Sequence, residues 1–302
     1  MKSRIGITVL LLSMLFALSA TAENTLYKPF VVASVSEGTL EGVTVATLGA
    51  LQDAGFEIAG QYSPVEGTNI IVVTNDELKN IASRSDRGGY AAGQRVSVSE
   101  ANGKIEVAYV NPVYIQYAYR LEGDMQPVYD SLSDALGMME TCGGGNKKMT
   151  AKKLGKYRYM IGMQRFDDPS ELGSFDSHEA AVAAVENGLA KPGDSLTQVY
   201  RIDIPGTGQT VFGVGMKLSD ADSKDLDAAF QMGVVDFEGC KKRAYFPYEV
   251  LVNGNDVEAL HMRFRMAVHF PNLSMMGKHG FTKLISAPGV IEAALEDMVN
   301  AK

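Results

Sequence analysis

Between Val257 and Phe281 the chain reads VEALHMRFRMAVHFPNLSMMGKHGF, which holds three of the protein's four histidines. Two arginines and four methionines lie among them. Guanidinium forks grip carboxylates and phosphates, and imidazole with thioether is a ligand set that suits copper. Read as a strand over Val257–Phe270, the segment sends alternate side chains to opposite faces. Met262, Phe264, Met266, Val268 and Phe270 then form a core face. His261, Arg263, Arg265, Ala267 and His269 form the other. That second face is either a charged surface paired with acids such as Glu249 and Glu258, or the wall of an anion-binding groove. In NPVYIQYAY, Tyr117 and Tyr119 share a strand-like face with Val113 and Ile115. They are expected either to pack against a helix or to line a ligand cleft opposite the arginines.

A soft-metal site for copper would use His269, Met275, Met276 and His279. This set lacks a fixed ligand spacing such as HxxxH, and methionine is also an ordinary filler of cores. Zinc would need a further histidine or a nearby cysteine. The sequence has no CxxCH for haem attachment, no CxxC and no GxSxG nucleophile elbow. Asp167 and Asp168, in FDDPSEL, read as a turn ahead of a helix rather than as a paired-acid site. No cofactor is therefore expected, with copper as the alternative.

The N-terminus sets the compartment. Lys2 and Arg4 precede the apolar run IGITVLLLSMLFAL, and Ala20 and Ala22 occupy the small positions of a leader-peptide cleavage site. Residues 1–22 are read as a signal peptide and the rest as a periplasmic or secreted protein without a stable membrane anchor. The formal charge is −8. Cleavage removes two basic residues and no acidic one, deepening this to −10. Such a balance disfavours nucleic acid as a partner. Cys142 and Cys240 are the only cysteines, and an oxidising compartment permits them to form a disulfide.

Residue periodicity gives one order of elements twice. The first pass has a strand at Phe30–Val35, a helix in VTVATLGALQDAGF, strands in FEIAGQYSP and NIIVVT, and a helix after Asn75. A hairpin around Asn102-Gly103 and a helix from Pro127 complete it. The second pass has a strand in YMIGM, a helix in DSHEAAVAAVENGLAK, and strands in QVYRIDI and TVFGVGMKL. A helix in DSKDLDAAFQMG, a hairpin around Asn253-Gly254 and a helix in APGVIEAALEDMV follow. The fold class expected is α+β, with two similar tandem domains in the order β-α-β-β-α-β-β-α, each a mainly antiparallel sheet covered by helices. Their bounds are 23–140 and 158–302, joined by a Gly/Lys-rich linker over 141–157.

ALQDAGFEI, TNDELKNIA and RVSVSEANGKIEVAYVNP in the first half resemble the domain of unknown function 302 family. FPYEVLV, VEAL, FPNLSMM and VIEAALEDMV are similar in the second. The resemblance implies a compact α/β fold for each half and assigns no catalytic residues. In the first half AAGQ departs from the family's apolar-Pro pair.

The expected function is an exported, non-enzymatic binding protein with a groove between two similar domains. His261, Arg263, Arg265 and His269 would hold a small anionic or polar ligand, with Tyr117 and Tyr119 opposite. Copper handling and an enzyme of unrecognised class are the alternatives.

Overall fold

The structure is a computed structural model that describes residues 25–191, 195–217, 224–237 and 239–301. The leader expected over 1–22 lies outside the described residues. The first half of the chain builds a six-stranded sheet from β1 (Phe30–Ser36), β2 (Glu57–Tyr62), β3 (Thr68–Thr74), β4 (Gln94–Ala101), β5 (Lys104–Val110) and β6 (Glu140–Cys142). Its helices are α1 (Leu40–Asp53), α2 (Asp76–Ala82), α3 (Pro112–Ala118) and α4 (Gln126–Leu136), and α5 (Ala151–Leu154) follows. The second half builds a five-stranded sheet from β7 (Ser170–Ser174), β8 (Leu196–Ile204), β9 (Gln209–Met216), β10 (Tyr248–Asn253) and β11 (Asp256–Ala259). Its helices are α6 (His178–Leu189), α7 (Ala228–Val235), α8 (Met262–His269) and α9 (Ala287–Val299). The fold is mixed α+β.

Strand order is β2-β3-β4-β5-β1-β6 in one sheet and β7-β11-β10-β9-β8 in the other, every ladder antiparallel. With β6 set aside, the two sheets follow the same path. The second, third, fourth and fifth strands of each half run in sequence, and the first strand lies beyond the fifth. The β4–β5 hairpin closes around Asn102 (φ 52°) and Gly103 (φ 76°), the positive pair that a type I′ turn requires. In the β10–β11 hairpin Asn253 pairs with Asp256, so the turn is Gly254-Asn255, one residue later than expected.

Four expectations are corrected. Met262–His269 is a helix, not a strand, and so is Pro112–Ala118. The reason is capping. The Asn111 side chain accepts from the backbone N–H of Val113 and Tyr114 ahead of Pro112. His261 Nδ1 accepts from the Arg263 N–H at 3.1 Å. YMIGM forms turns rather than a strand, and the second sheet starts at Ser170. Residues 141–157 are more than a solvated linker. Glu140–Cys142 pairs with β1, and Met149 and Leu154 are buried.

The apolar residues of both halves form one continuous core cluster. The outer strands β2 and β8 approach so closely that a Cβ on Gly60 would collide with the Val199 carbonyl. Polar links join the halves elsewhere. Arg87 Nε lies 2.7 Å from Glu258, the Lys241 N–H donates to Glu106 at 2.6 Å, and the Tyr114 hydroxyl donates to the Val268 carbonyl at 2.6 Å.

Cys142, at the end of β6, is bonded to Cys240, which follows α7; their Cα atoms are 6.4 Å apart and 98 residues separate them in sequence. The bond therefore ties one half to the other. Replacing both cysteines with serine is expected to lower stability by about 2–5 kcal/mol. Equilibrium denaturant unfolding, with far-UV circular dichroism to check the fold, measures this.

Candidate functional site

The deepest polar cluster lies between the two sheets. Arg95 comes from β4, Glu249 from β10, and Arg265 and His269 from α8, four residues apart and so on one helical face. Their exposures are 3%, 1%, 0% and 0%. Arg95 Nη1 pairs with Glu249 Oε1, and Arg265 Nε donates to Glu249 Oε2 at 2.6 Å. One carboxylate thus bridges two guanidiniums, one per oxygen. Arg265 Nη2 also donates to the carbonyls of Tyr245 (2.7 Å) and Pro247 (2.5 Å). The Arg265 guanidinium stands 4.1 Å from the Tyr245 ring centre and 4.6 Å from that of Tyr248, a cation–π sandwich.

His269 closes the cluster. Its Nε2 is 3.2 Å from Arg95 Nη2, and its Nδ1 is 2.8 Å from the Arg265 carbonyl. Arginine only donates, so Nε2 accepts and the proton sits on Nδ1. Burial first, then Arg95 and Arg265, holds this imidazole well below the ordinary histidine range. Two guanidiniums, one carboxylate and a neutral imidazole leave one positive charge in excess. Tyr119, fully buried, packs edge-on to His269 at 6.4 Å and stacks on Phe166 at 5.3 Å.

A separate open groove of ≈ 510 Å³ lies at the N-terminal end of α8. It is lined by Arg158, Gln164, Asp168, Glu171, His261 and Glu292, among others. His261 is 7% exposed. Its Nδ1 caps α8, and its Nε2 has no hydrogen-bond partner among the described residues. Burial lowers its pKa first; Glu292 acts upward and Arg263 downward. The acids outnumber Arg158. Asp167, also at the groove, is paired with Arg120 at 2.9 Å, whereas Glu171 and Glu292 have no ion pair among the described residues.

The residues singled out from sequence therefore separate. Arg265, His269 and Tyr119 come together in the buried cluster. His261 lines the groove, and Arg263 is half-buried in the first turn of α8. Tyr117 packs against Tyr27 at 5.0 Å. No shared strand face exists, because α8 turns Arg263 and Arg265 in different directions. The residues of the copper set meet different surroundings. Both nitrogens of His269 are occupied, and Met276 is 77% exposed. His279 stacks on Phe237 at 4.3 Å, with Nδ1 2.9 Å from the Val234 carbonyl. Among the described residues no group of three or more His, Cys, Asp or Glu side chains is placed to hold a metal.

Arg95 is the member of the buried cluster that the sequence reading missed. It sits in QRVSVSE, where Arg95, Ser97 and Ser99 alternate with Val96 and Val98 like a solvent face. All three polar residues are buried because the second half covers them. The unbroken run from Tyr248 to Val252, with its single acid Glu249, carries the complementary signal.

No family model, no curated protein and no solved structure matches this chain.

Glu249→Gln leaves two buried guanidiniums without their shared counter-charge. It is expected to destabilise the protein by about 3–5 kcal/mol in denaturant titration. His269 sets a pH dependence. Below the ordinary histidine pKa the unfolded chain takes up a proton that the folded imidazole refuses. Its contribution to stability is therefore full at neutral pH and is lost as pH falls below that range. His269→Gln is expected to flatten this part of the stability–pH curve, whatever its effect on stability at pH 7.

Proposed function

We propose that this is an exported, non-enzymatic binding protein built of two tandem α+β domains of the domain of unknown function 302 kind. Its ligand is a small cation, held in the groove beside His261. One observation carries this reading: a concave surface in which, among the described residues, Glu171 and Glu292 have no ion-pair partner and a nine-tenths buried histidine has no partner at Nε2. The carboxylates supply the attraction. Because Nδ1 accepts from the Arg263 N–H, the neutral imidazole carries its proton on Nε2, which can only donate, to a ligand oxygen or to a neighbouring carboxylate. A cationic ligand replaces the anionic or polar one expected from the sequence. Arg265, the strongest anion-gripping residue of that expectation, is committed to Glu249, and Arg263 does not line the groove.

Export is supported by the Cys142–Cys240 bond, which belongs to oxidising compartments. No helix among the described residues is long and apolar enough to cross a membrane. The tandem reading is supported by the shared strand path of the two sheets and by the hairpin-then-helix sequence that closes each.

Titration calorimetry with 1,4-diaminobutane, and with succinate as its charge-reversed counterpart, tests the assignment. The diamine is expected to bind and succinate not to. Glu171→Gln with Glu292→Gln is expected to weaken the diamine at least about tenfold, the scale of a lost charged contact. Equal binding of succinate, or a diamine affinity indifferent to the double variant, contradicts the reading. The pH profile has a defined sign. His261 is neutral at pH 7. Protonation as pH falls through its depressed pKa puts a positive charge in the groove, so diamine affinity drops there. His261→Gln is expected to remove that drop.

A further inference from the structure

Several hydrogen-bond donors of the buried cluster have no partner among the described residues. Arg95 Nε and Arg265 Nη1 are buried with no partner, as are the hydroxyls of Tyr62, Tyr119 and Tyr245. All five can donate. They belong to one neighbourhood. The Tyr119 hydroxyl stands against the Arg95 guanidinium and the Tyr245 hydroxyl against that of Arg265, each close enough to interact with it, and Tyr62 is within electrostatic reach of both guanidiniums. A second fact is independent of this count. Among the described residues Glu249 is the only carboxylate paired with either arginine, so one positive charge is left uncompensated among them. Two other buried acids are committed elsewhere, Glu258 to Arg87 and Glu106 to the Lys241 N–H. Leaving donors unmet costs about 1–3 kcal/mol each, and leaving a charge unmet costs more.

We propose that the Arg95–Arg265–tyrosine cluster between the two sheets binds one small monovalent anion, halide-sized or a single carboxylate. Water would satisfy the donors but not the charge; a monovalent anion does both. A divalent anion would overshoot the single excess charge. The enclosure sets the size, since Arg95, Arg265, Tyr119 and Tyr245 are all buried. The site uses residues from both halves, Arg95 and Tyr119 from one and Arg265 and Tyr245 from the other. The anion therefore acts as a further joint between them. None of these residues lines the His261 groove, so the proposal stands apart from the cation-binding function.

The test uses the mature, disulfide-bonded protein at fixed ionic strength, with chloride, bromide or formate exchanged against gluconate, a monovalent anion too large for an enclosed cluster. The thermal midpoint is expected to rise saturably with the small anions. At about 100-fold over the dissociation constant the rise is about 5 °C for a chain of this size. A rise with halides marks a halide site, and a rise with formate alone marks a carboxylate site. Crystals grown in bromide are expected to show an anomalous peak within hydrogen-bonding distance of Arg265. Arg95→Met, which removes the excess charge, is expected to abolish the anion dependence. Identical midpoints in gluconate, chloride, bromide and formate overturn the proposal even if Arg95→Met fails to fold, as does a halide-induced rise with no bromide peak in the cluster. Retention of the dependence in a folded Arg95→Met protein overturns it as well.

Discussion

The bridge from Arg95 through Glu249 to Arg265 fixes the relation between the two halves. Burying three charges is costly, and an ion pair repays that cost only when its geometry is good and its remaining donors are met. Glu249 meets the first condition by giving one oxygen to each arginine. Arg265 meets much of the second through two backbone carbonyls and two aromatic faces. Hydrophobic contact alone tolerates sliding of one sheet over the other. A carboxylate on a strand of one sheet that pairs with an arginine on a strand of the other does not, because displacement leaves charge unpaired in a dry interior. The bridge contributes register more than net stability.

That register reaches the surface through one helix. Arg265 and His269 anchor the body of α8 in the interior, which sets where its first turn emerges. His261 caps that turn with Nδ1 and so faces the groove with Nε2. The same helix carries the interior joint at one end and a groove-lining side chain at the other. The two regions are opposite in charge, with a surplus of cations inside and of anions in the groove. The half-buried Arg263, between them along the helix, lies close enough to His261 to press its pKa downward.

Much of the fold was legible in the sequence. Strands with one covered face, amphipathic helices such as α1 and α9, and the Asn102-Gly103 turn all carry the periodicity that burial on one side imposes. The Cys142–Cys240 bond was legible as the only pairing the composition allows. Reading failed at α3 and α8 for a common reason. Of the eight residues of α8 only Arg263 is not buried. A helix covered all round has no polar face, so its apolar spacing is uninformative and a chance alternation of Met, Phe and Val looks like a strand. Asn111-Pro112 was a usable cap signal, whereas a histidine cap at 261 was not. Arg95 and Ser97 failed differently. Their alternation was read correctly, but the face they occupy is covered by residues more than 100 positions away. No local pattern reports such burial.

The central claim is that two similar sheets form one cooperative body held by the buried bridge. Differential scanning calorimetry of the protein with the Cys142–Cys240 bond reduced tests it most directly, because the covalent tie no longer couples the halves. The account predicts a single transition whose calorimetric and van't Hoff enthalpies agree. Two resolved transitions, each with about half the total enthalpy, would contradict it and make the halves independent domains joined by a disulfide.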